Sequence, residues 1–508
     1  MLAKVNSVTV TGLEAHAVGV EVDLATGLPM FTVVGLPDTT VRESRDRVRS
    51  ALRNSGFNFP QRKVTVNLAP ADLPKEGAGF DLPIAVGILA AEGLIPADVL
   101  QHYVLVGEVS LEGVIKPVRG MLSMALSCRG RPLKGFLVPS ENAMEAAIVD
   151  GVEIYPVATI PQVIEYFTGT QAMKAVDRGA LPAIPAPAGG ADFGDVRGQQ
   201  HAKRALEVAA AGGHNVLLVG PPGSGKTMLA QRLPGILPPM TLDEAIESTR
   251  IHSVAGLLPA AQPLLCVRPF RAPHHSISDA GLIGGGTMPR PGEVSLAHNG
   301  VLFLDELPEY RRNVLEGLRQ PLEEGTIAIT RVSAAMSYPA RVMLVAAMNP
   351  CPCGFLGDRA RPCVCSPIQV QRYRARVSGP LLDRLDLHVE VPAVPFRELA
   401  GEERGEESPA ILQRVVAARA KQTERYKGTR THCNAQLRPS QIKKHCTIAG
   451  KGRVLIEQAV VKLGLSARAY MRILKVARTI ADLDGSDPIL TPHVAEAIQY
   501  RSLDRQVT

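Results

Sequence analysis

The octapeptide Gly220-Pro-Pro-Gly-Ser-Gly-Lys-Thr227 indicates the fold of this chain more clearly than any other stretch of its sequence. An apolar run, Val216–Val219, precedes it, and a helix-like segment, Met228–Leu233, follows it. A strand, a glycine-rich turn and a helix N-terminus in this order are typical of a phosphate-binding loop. The glycines let backbone N–H groups surround a triphosphate, and the helix N-terminus adds partial positive charge.

The loop predicts a nucleotide site within an α/β domain. Lys226 would reach the β- and γ-phosphates, and Thr227 would bind Mg²⁺. We therefore expect ATP and Mg²⁺ as cofactors, held by the loop residues Gly220, Pro221, Pro222, Gly223, Ser224, Gly225, Lys226 and Thr227.

A second nucleotide motif is the run Gly300–Leu304 followed by Asp305 and Glu306. The run predicts a buried central strand, and open α/β sheets place their ligand chemistry at the C-terminal ends of such strands. Asp305 would hold Mg²⁺ through water, and Glu306 would polarise the attacking water. The alternative is a buried strand that ends in two solvated acids.

Three further polar residues follow in an order that suits an ATPase. Asn349 ends the apolar run Arg341–Met348, where an amide could orient water beside a γ-phosphate, although Asn-Pro is also an ordinary turn. Arg384 lies between a helix-like segment and a strand, where it could be donated to a neighbouring subunit's phosphates. Arg468 begins a C-terminal helix. For both arginines the alternative is a surface salt bridge.

Composition bounds the class of protein. The 508 residues suggest two to four domains, and 45% hydrophobic and 21% charged residues are ordinary for a globular chain. The sequence lacks a signal core and an apolar run of membrane-spanning length, so we expect a cytoplasmic protein without a membrane partner. The net charge of +7 permits a polyanionic partner. The absence of tryptophan and 4% aromatic content argue against base stacking as a main binding mode.

The chain divides by pattern into three structured parts. Residues 1–170 mix short strands with helices and predict an α+β domain; residues 171–192 are rich in Pro, Ala and Gly and predict a linker. Residues 193–395 alternate strands and helices, which predicts a parallel sheet with helices on both faces. Residues 396–508 carry helical apolar spacing and predict a helical lid.

A cysteine array interrupts the second part at residues 351–365. Cys351, Cys353, Cys363 and Cys365 form a C-x-C-x9-C-x-C pattern directly after Asn349. Four thiolates this close can surround one Zn²⁺ tetrahedrally, so we predict a structural zinc site. Unliganded thiols or a redox switch remain alternatives. The scattered Cys128, Cys266, Cys433 and Cys446 are expected to be reduced thiols.

The whole chain resembles the ComM/YifB family of magnesium-chelatase-like AAA+ proteins. The segments that carry the resemblance are Val34–Asp38, Val66–Leu73, Arg268–His275, Pro291–Gly300 and Ser378–Arg384. The resemblance implies a P-loop AAA+ core with extra hairpins, a helical lid, and an N-terminal domain like that of Lon proteases and domain 2 of ribosomal protein S5. It implies Asn349 as first sensor, Arg384 as a finger acting across subunits and Arg468 as second sensor.

For function, the resemblance implies an ATP-driven ring, usually hexameric, that acts on single-stranded or branched DNA as a branch-migration helicase in natural transformation. The alternative is the motor subunit of a chelatase that inserts Mg²⁺ or Co²⁺ into a tetrapyrrole; a non-enzymatic regulator is a third possibility. Proteolysis is not expected. The positions that match the Lon serine and lysine are Gly79 and Leu122, so both catalytic groups are missing.

Two loops are candidates for DNA contact. Leu282–Gly292 is rich in Gly and Pro and contains Arg290, and Thr326–Tyr338 has the pattern of a β-hairpin and contains Arg331. In the family that the chain resembles, loops at these places face the ring pore, so Arg290 and Arg331 would track a phosphate backbone. Ordinary surface loops are the alternative. A basic helix from Arg414 to Arg430 could also meet DNA or be a solvated face.

Overall fold

The computed structural model describes residues 1–178, 191–259, 262–286, 290–330, 335–358, 361–395, 405–429, 431–448 and 450–501. The backbone contacts divide the chain into two units: residues 1–184 with 245–265, and residues 185–244 with 266–508. Residues 245–265 therefore group with the first unit, although the sequence pattern placed them inside one continuous core. Most of the predicted linker, residues 179–190, lies outside the described residues.

The first unit is built on a seven-stranded mixed sheet with the order β3-β4-β2-β1-β5-β8-β9. Its strands β1 to β9 are Leu2–Thr11, Glu14–Ala25, Met30–Val34, Lys63–Ala69, Tyr103–Leu105, Glu108–Val109, Ile115–Lys116, Gly135–Pro139 and Ile154–Val157, of which β6 and β7 pair separately. Its helices α1 to α6 are Thr39–Asn54, Asp81–Ala91, Ala97–Leu100, Met121–Cys128, Ala143–Ala146 and Ile160–Phe167.

Helix α2 forms the centre of this unit because every one of its residues is buried. It packs on β1 and β2, where a Cβ on Gly87 would lie 2.7 Å from Val22 Cγ2, so only glycine permits this approach. Helix α1, in contrast, is amphipathic. Its residues Val41, Val48 and Leu52 face the core, whereas its arginines other than Arg47, which pairs with the buried Asp81, are exposed. Both helices agree with the mixture of strands and helices predicted for residues 1–170.

The second unit contains a five-stranded, fully parallel sheet with the order β11-β14-β17-β10-β18. These strands are Phe270–Arg271, Val301–Leu304, Met343–Met348, Val216–Val219 and Leu387–Glu390. Because β14, β17 and β10 are neighbours and parallel, the residues that follow them meet at one edge of the sheet. The predicted α/β core with a parallel sheet is confirmed, and the sheet topology decides which motifs become neighbours.

Two hairpins stand outside this sheet, β12–β13 (Gly284–Gly285 and Arg290–Pro291) and β15–β16 (Thr326–Thr330 and Ala335–Pro339). The second confirms the predicted hairpin. The helices of the sheet region, α7 to α15, are Gln200–Gly212, Lys226–Arg232, Leu242–Ala255, Asp279–Leu282, Glu293–Leu296, Arg312–Gly317, Arg319–Glu324, Pro367–Arg374 and Gly379–Leu382; α9 runs into the segment that groups with the first unit.

The C-terminal region is helical in its described parts, as predicted. Its helices α16 to α20 are Ser408–Arg425, Pro439–His445, Lys451–Leu463, Ala467–Leu483 and Thr491–Gln499. Side chains of these helices, such as Val415 and Ile473, share one buried cluster with sheet residues such as Val216. Among the described helices, none combines the length and the hydropathy that crossing a bilayer requires.

Candidate nucleotide site

The phosphate loop lies between β10 and α8, where the sequence places it. A Cβ on Gly220 would lie 2.0 Å from the Val391 carbonyl oxygen, so a side chain has no room there. Gly223 and Gly225 have φ angles of 75° and 86°, a region that favours glycine. Gln199 donates hydrogen bonds to the carbonyls of Ser224 (3.2 Å) and Pro392 (2.6 Å) and so ties the loop to the chain beyond β18.

Lys226 is largely buried inside the loop. Its Nζ donates to the carbonyls of Gly220 (2.8 Å) and Pro221 (2.9 Å) and to Asn349 Oδ1 (3.2 Å). Burial lowers the pKa of this amine, and the charges of Asp305 and Glu306 oppose that shift. The structure therefore brings the candidate sensor Asn349 and the loop lysine into direct contact, across 123 residues of sequence.

The two candidate Mg²⁺ ligands also meet. Thr227 Oγ1 donates a 2.6 Å hydrogen bond to Asp305 Oδ2, and both residues lie at the exposed mouth of the site. A hydroxyl and a carboxylate are the hard oxygen donors that Mg²⁺ prefers, and Mg²⁺ bound by few protein groups leaves room for phosphates and water. The donor set and the glycine loop thus fit Mg²⁺ and a triphosphate.

Glu306 adopts an unusual backbone conformation at the end of β14. Its φ angle is 51°, and its N–H donates to Asp305 Oδ1 at 2.9 Å. A non-glycine residue in this region costs free energy and is often found at functional sites. The carboxylate is exposed, as a group that must meet water requires, and its Oε2 lies 3.3 Å from Nδ1 of His275.

His275 is a residue of this site that sequence reasoning missed. In the sequence no acid or thiol pattern accompanies the pair His274-His275 locally, so spacing alone gives no sign of a site there. Glu306 is distant in sequence, but β11 and β14 pair in parallel and bring the two residues together. Nearby, Tyr310 donates a 2.5 Å hydrogen bond to the Pro273 carbonyl, which holds the segment that carries His275.

The two candidate arginines lie apart from the phosphate loop. Arg384 has 9% of its side chain exposed and donates to the Pro380 carbonyl (2.5 Å) and to Glu323. Arg468 is 70% exposed and pairs with Asp383 at 3.3 Å. Burial lowers the pKa of Arg384; Glu323 opposes this, and the charges of three neighbouring arginines (Arg319, Arg468 and Arg472) lower it further.

The four cysteines of the array come together. All four sulfur atoms lie within 4.8 Å of one another, and the Sγ separations from Cys351 and Cys353 to Cys363 are 3.7 and 3.6 Å. Tetrahedral zinc with bonds of about 2.3 Å holds its sulfurs about 3.8 Å apart, so the array has the size of a metal site. The N–H groups of Phe355 and Val364 lower the pKa of the Cys353 thiol to about 6.

The array packs directly on the phosphate loop. A Cβ on Gly354 would lie 2.5 Å from Cδ of Pro222 and 2.8 Å from its Cγ, so the Gly354 backbone lies directly against the proline ring. Gly354 N–H donates to the Cys351 carbonyl at 3.0 Å, and Arg374 of α14 donates to the Pro350 carbonyl at 3.2 Å. The array therefore supports both the loop that would hold phosphate and the strand end that carries Asn349.

A buried polar network joins β18 to the lid helix α19. Asp386 accepts from Arg472 (2.5 Å) and lies 3.2 Å from His214, whose other ring nitrogen is 2.8 Å from Thr479. Burial alone would raise the pKa of Asp386, but Arg472 and His214 outweigh it and hold the pKa well below its usual range. Burial lowers the pKa of His214. The network holds α19 in place, and the first turn of this helix carries Arg468.

The candidate DNA residues are only partly described. Arg290 is exposed on β13, whereas Arg331 lies outside the described residues. The basic helix α16 does not present an uninterrupted cationic face. Arg414 pairs with Glu207 (2.5 Å) and with Glu406, and Arg425 pairs with Asp482 (2.6 Å). Sequence spacing could not show Glu207 and Asp482 because they come from other helices, whereas Glu406 lies eight residues before Arg414.

The N-terminal unit has apolar groups at the positions that match the Lon dyad. A Cβ on Gly79 would contact Val106 and Val118 at 3.4 and 3.6 Å, and Leu122 is fully buried with its N–H bonded to Glu145 at 2.8 Å. Neither position offers a nucleophile or an amine, as the sequence indicated.

Comparison with known proteins decides the family. The profile described as magnesium chelatase, subunit ChlI, matches residues 192–399; the profile for subunit ChlI of Mg-chelatase matches 20–142, and that for its C-terminal part matches 405–501. Competence protein ComM of Haemophilus influenzae is 47% identical over 99% of this chain and 98% of its own length. The protein YifB of Salmonella typhimurium is 46% identical over the same shares.

The chain belongs to the ComM/YifB family of magnesium-chelatase-like proteins. It is thus an AAA+-type ATPase by family, and the predicted family and fold class are confirmed. A shorter likeness, 27% identity over 148 residues, links the chain to Lon protease 2 of Bacillus subtilis. It agrees with a Lon-like N-terminal unit.

Proposed function

We propose that this ComM/YifB protein is an ATP-hydrolysing motor that acts on DNA as a branch-migration helicase in natural transformation. The observation that carries the proposal is the meeting of Lys226 with Asn349 and of Thr227 with Asp305 at one edge of the sheet. A relative that is 47% identical over nearly the whole chain is a competence protein, which supports DNA as the substrate.

Each residue of the site has a chemical role in this proposal. Bound Mg²⁺ would neutralise charge that develops on the transferred phosphoryl group. The loop N–H groups and Lys226 bind and orient the phosphates, while Thr227 and Asp305 supply oxygen ligands. Glu306 would accept a hydrogen bond from the attacking water and orient it, the Asn349 amide would help to hold that water, and His275 would hold the carboxylate of Glu306.

We further propose that the active form is a ring, most simply a hexamer, in which Arg384 is donated to the neighbouring subunit. The Nε–H of Arg384 is buried and makes no hydrogen bond within the described part of the chain. A buried donor without an acceptor costs free energy, which supports a partner outside the single chain. Three arginines around it add the positive charge that favours a polyphosphate. Arg468 would act as second sensor from the lid.

The cysteine array would hold a structural Zn²⁺, and Arg290 with Arg331 would contact DNA. The sulfur separations support zinc, and the packing of Gly354 on Pro222 supports a role for the metal in holding the phosphate loop. The exposed position of Arg290 on a short hairpin supports contact with a phosphate backbone.

The test is steady-state ATP hydrolysis by the full chain with no DNA and with single-stranded, duplex or four-way-junction DNA. We expect junction or single-stranded DNA to stimulate hydrolysis, and Lys226→Ala and Glu306→Gln to abolish it. Arg290→Ala should reduce the stimulation and leave the DNA-independent rate unchanged, whereas Arg453→Ala, at an exposed arginine of α18, should change neither. Hydrolysis without stimulation or binding by any DNA at low salt would refute the DNA assignment.

Mixing two inactive variants tests the ring. Arg384→Ala subunits keep an intact phosphate loop, and Lys226→Ala subunits keep an intact finger. If the finger acts across subunits, a mixture contains interfaces that combine both intact parts and recovers some activity. No recovery at any mixing ratio would refute the trans role of Arg384.

The match to magnesium chelatase profiles over three segments favours one second candidate, the motor subunit of a chelatase. It predicts ATP hydrolysis that is insensitive to DNA and is stimulated by a partner protein loaded with a tetrapyrrole and Mg²⁺ or Co²⁺. The same ATPase assay, run with DNA or with such a partner, separates the two functions.

A further inference from the structure

The first unit carries an open groove with a basic and aromatic lining, far in sequence from the nucleotide motifs. It has a volume of about 390 Å³ and lies between the edge strand β3 and helix α1. Phe31 and Phe59 contribute its apolar part, Arg45, Arg49 and Arg62 contribute positive charge, and Asp46 contributes one carboxylate. Since β3 is the edge strand of the seven-stranded sheet, one side of the groove is open to solvent.

The groove continues along a row of arginines on α1. Arg42, Arg45, Arg49 and Arg53 are all exposed and are spaced at i, i+3, i+7 and i+11, which places them on one face of the helix. The row is about 16 Å long at a rise of about 1.5 Å per residue. The neighbouring face, with Val41, Val48 and Leu52, is buried in the unit, so the row has a fixed orientation.

Most of this charge is not neutralised by the protein itself. Within the described residues, Arg42, Arg49, Arg53 and Arg62 have no acidic side chain within ion-pair distance. Of the two acids on the same helix, Asp46 pairs with Arg45 at 3.2 Å and Glu43 pairs with the half-buried Arg47 at 3.8 Å. A row of unpaired cations attracts a chain of anions more strongly than it attracts a single one.

The aromatic side chains give the groove a second kind of contact. The rings of Phe31 and Phe59 lie 6.1 Å apart at an interplanar angle of 30°, and the Arg49 guanidinium lies 5.7 Å from the centre of the Phe59 ring. Both rings are half-buried and therefore held in place while part of their surface faces the groove. Flat aromatic faces beside cations are the elements with which proteins bind unpaired bases and their phosphates.

We propose that this groove binds single-stranded nucleic acid, with phosphates along Arg42, Arg45, Arg49 and Arg53 and a base stacked at Phe59. The ring pair favours a nucleic acid over an acidic peptide, because a base offers a planar surface for stacking and carboxylate side chains do not. The site lies in the first unit and is separate from the Arg290 contacts proposed for the motor. It stands whether or not the protein hydrolyses ATP.

The test is fluorescence anisotropy of a labelled oligothymidylate of about 15 nucleotides with the full chain, in the absence of nucleotide. Phe59→Ala should weaken binding about 5- to 150-fold, the range for loss of one stacked base. Arg49→Glu should weaken binding and reduce the slope of log K against log salt by about 0.7, one phosphate contact on a single strand. Arg129→Glu is the matched control, because this exposed arginine precedes β8, near the opposite edge of the sheet.

The outcomes separate the alternatives. If Arg49→Glu and Phe59→Ala bind oligothymidylate as tightly as Arg129→Glu does, the proposal is overturned. DNA binding would then belong to the second unit. Equal affinity for inorganic polyphosphate and oligothymidylate, with no effect of Phe59→Ala, would also overturn it. An oligouridylate arm distinguishes RNA from DNA as the source of the strand. Thermal unfolding of each variant identifies a folding defect. If Phe59→Ala has one, the binding of Arg49→Glu decides whether the proposal holds, because Arg49 is exposed.

ATP hydrolysis provides the readout that keeps this proposal apart from the motor function. Hydrolysis without DNA should be unchanged in all three variants, because none of the substituted residues belongs to the nucleotide site. Wild-type binding of oligothymidylate that depends on Arg49 and Phe59 without any DNA-stimulated hydrolysis would support the groove and refute the motor. DNA-stimulated hydrolysis together with oligothymidylate binding that is insensitive to both substitutions would support the motor and refute the groove.

Discussion

Replacing Gly354 by alanine should disturb ATP hydrolysis through the phosphate loop, although Gly354 belongs to the cysteine array. The new Cβ would lie 2.5 Å from Cδ of Pro222, and ordinary contacts between carbon atoms begin at about 3.5 Å. The backbone must therefore separate by about 1 Å. Because both partners are rigid, with a proline ring on one side and a cysteine-bounded turn on the other, the displacement passes into the loop that binds phosphate.

The expected magnitude follows from that displacement. A misplacement of about 1 Å at a catalytic site can reduce the rate about 10²-fold, which corresponds to about 2.7 kcal/mol. Strain at positive φ adds about 1–2 kcal/mol to the cost of any alanine there. Gly357 supplies the control for this strain, since its φ angle is 82° against 85° for Gly354 and a Cβ there would meet nothing within 4 Å.

The assay is steady-state ATP hydrolysis by Gly354→Ala and Gly357→Ala, with KM for ATP, metal content and thermal unfolding measured for both. We expect kcat/KM to fall about 10²-fold in Gly354→Ala and to stay near the wild-type value in Gly357→Ala. Equal kcat/KM in the two variants would refute the reasoning, because the two substitutions share the φ strain and differ in the contact with Pro222.

Three further predictions follow from the site. His275→Ala should lower kcat about tenfold with little change in KM for ATP, because it frees the carboxylate of Glu306; an unchanged kcat would contradict a positioning role. Removal of metal by a chelator, or Cys353→Ser, should lower the unfolding temperature and raise KM for ATP. Calorimetry, kinetics and zinc analysis measure these effects. Metal-free protein with unchanged KM would contradict the coupling of the array to the phosphate loop. Below pH of about 6.5 the unfolded chain protonates His214 whereas the folded chain, with its lowered pKa, does not, so stability should fall with acidification. Chemical denaturation at several pH values should show a shallower fall of stability in His214→Gln than in the wild-type protein. An identical slope would assign the fall in stability to other groups.

Much of the nucleotide site was predictable because its parts are local patterns. The strand, loop and helix around Gly220–Thr227 follow one another in sequence, and so do the strand and acids that end at Glu306. The cysteine array is equally local, since its four sulfurs come from 15 consecutive positions, 351–365. Short-range spacing fixes such features because a few backbone turns bring the side chains together.

Contacts between distant segments were beyond the reach of these patterns. The contact of His275 with Glu306 depends on the parallel pairing of β11 with β14, and the neutralisation of Arg414 depends on Glu207 of α7. The groove beside α1 likewise depends on the contact between Phe31 of β3 and Phe59, which lies in the loop before β4. Each of these contacts joins residues that have no periodic relation in the sequence.

The sequence by itself determined that this chain has a phosphate loop, a strand that ends in two acids, a thiol array and no Lon dyad, since each depends on residue type and short spacing. Only the tertiary structure decided that Thr227 meets Asp305, that Lys226 meets Asn349, and that Gly354 packs on Pro222. The physical reason is the order of the parallel sheet: it brings the C-terminal ends of β10, β14 and β17 to one edge, and that order is set by packing over the whole unit.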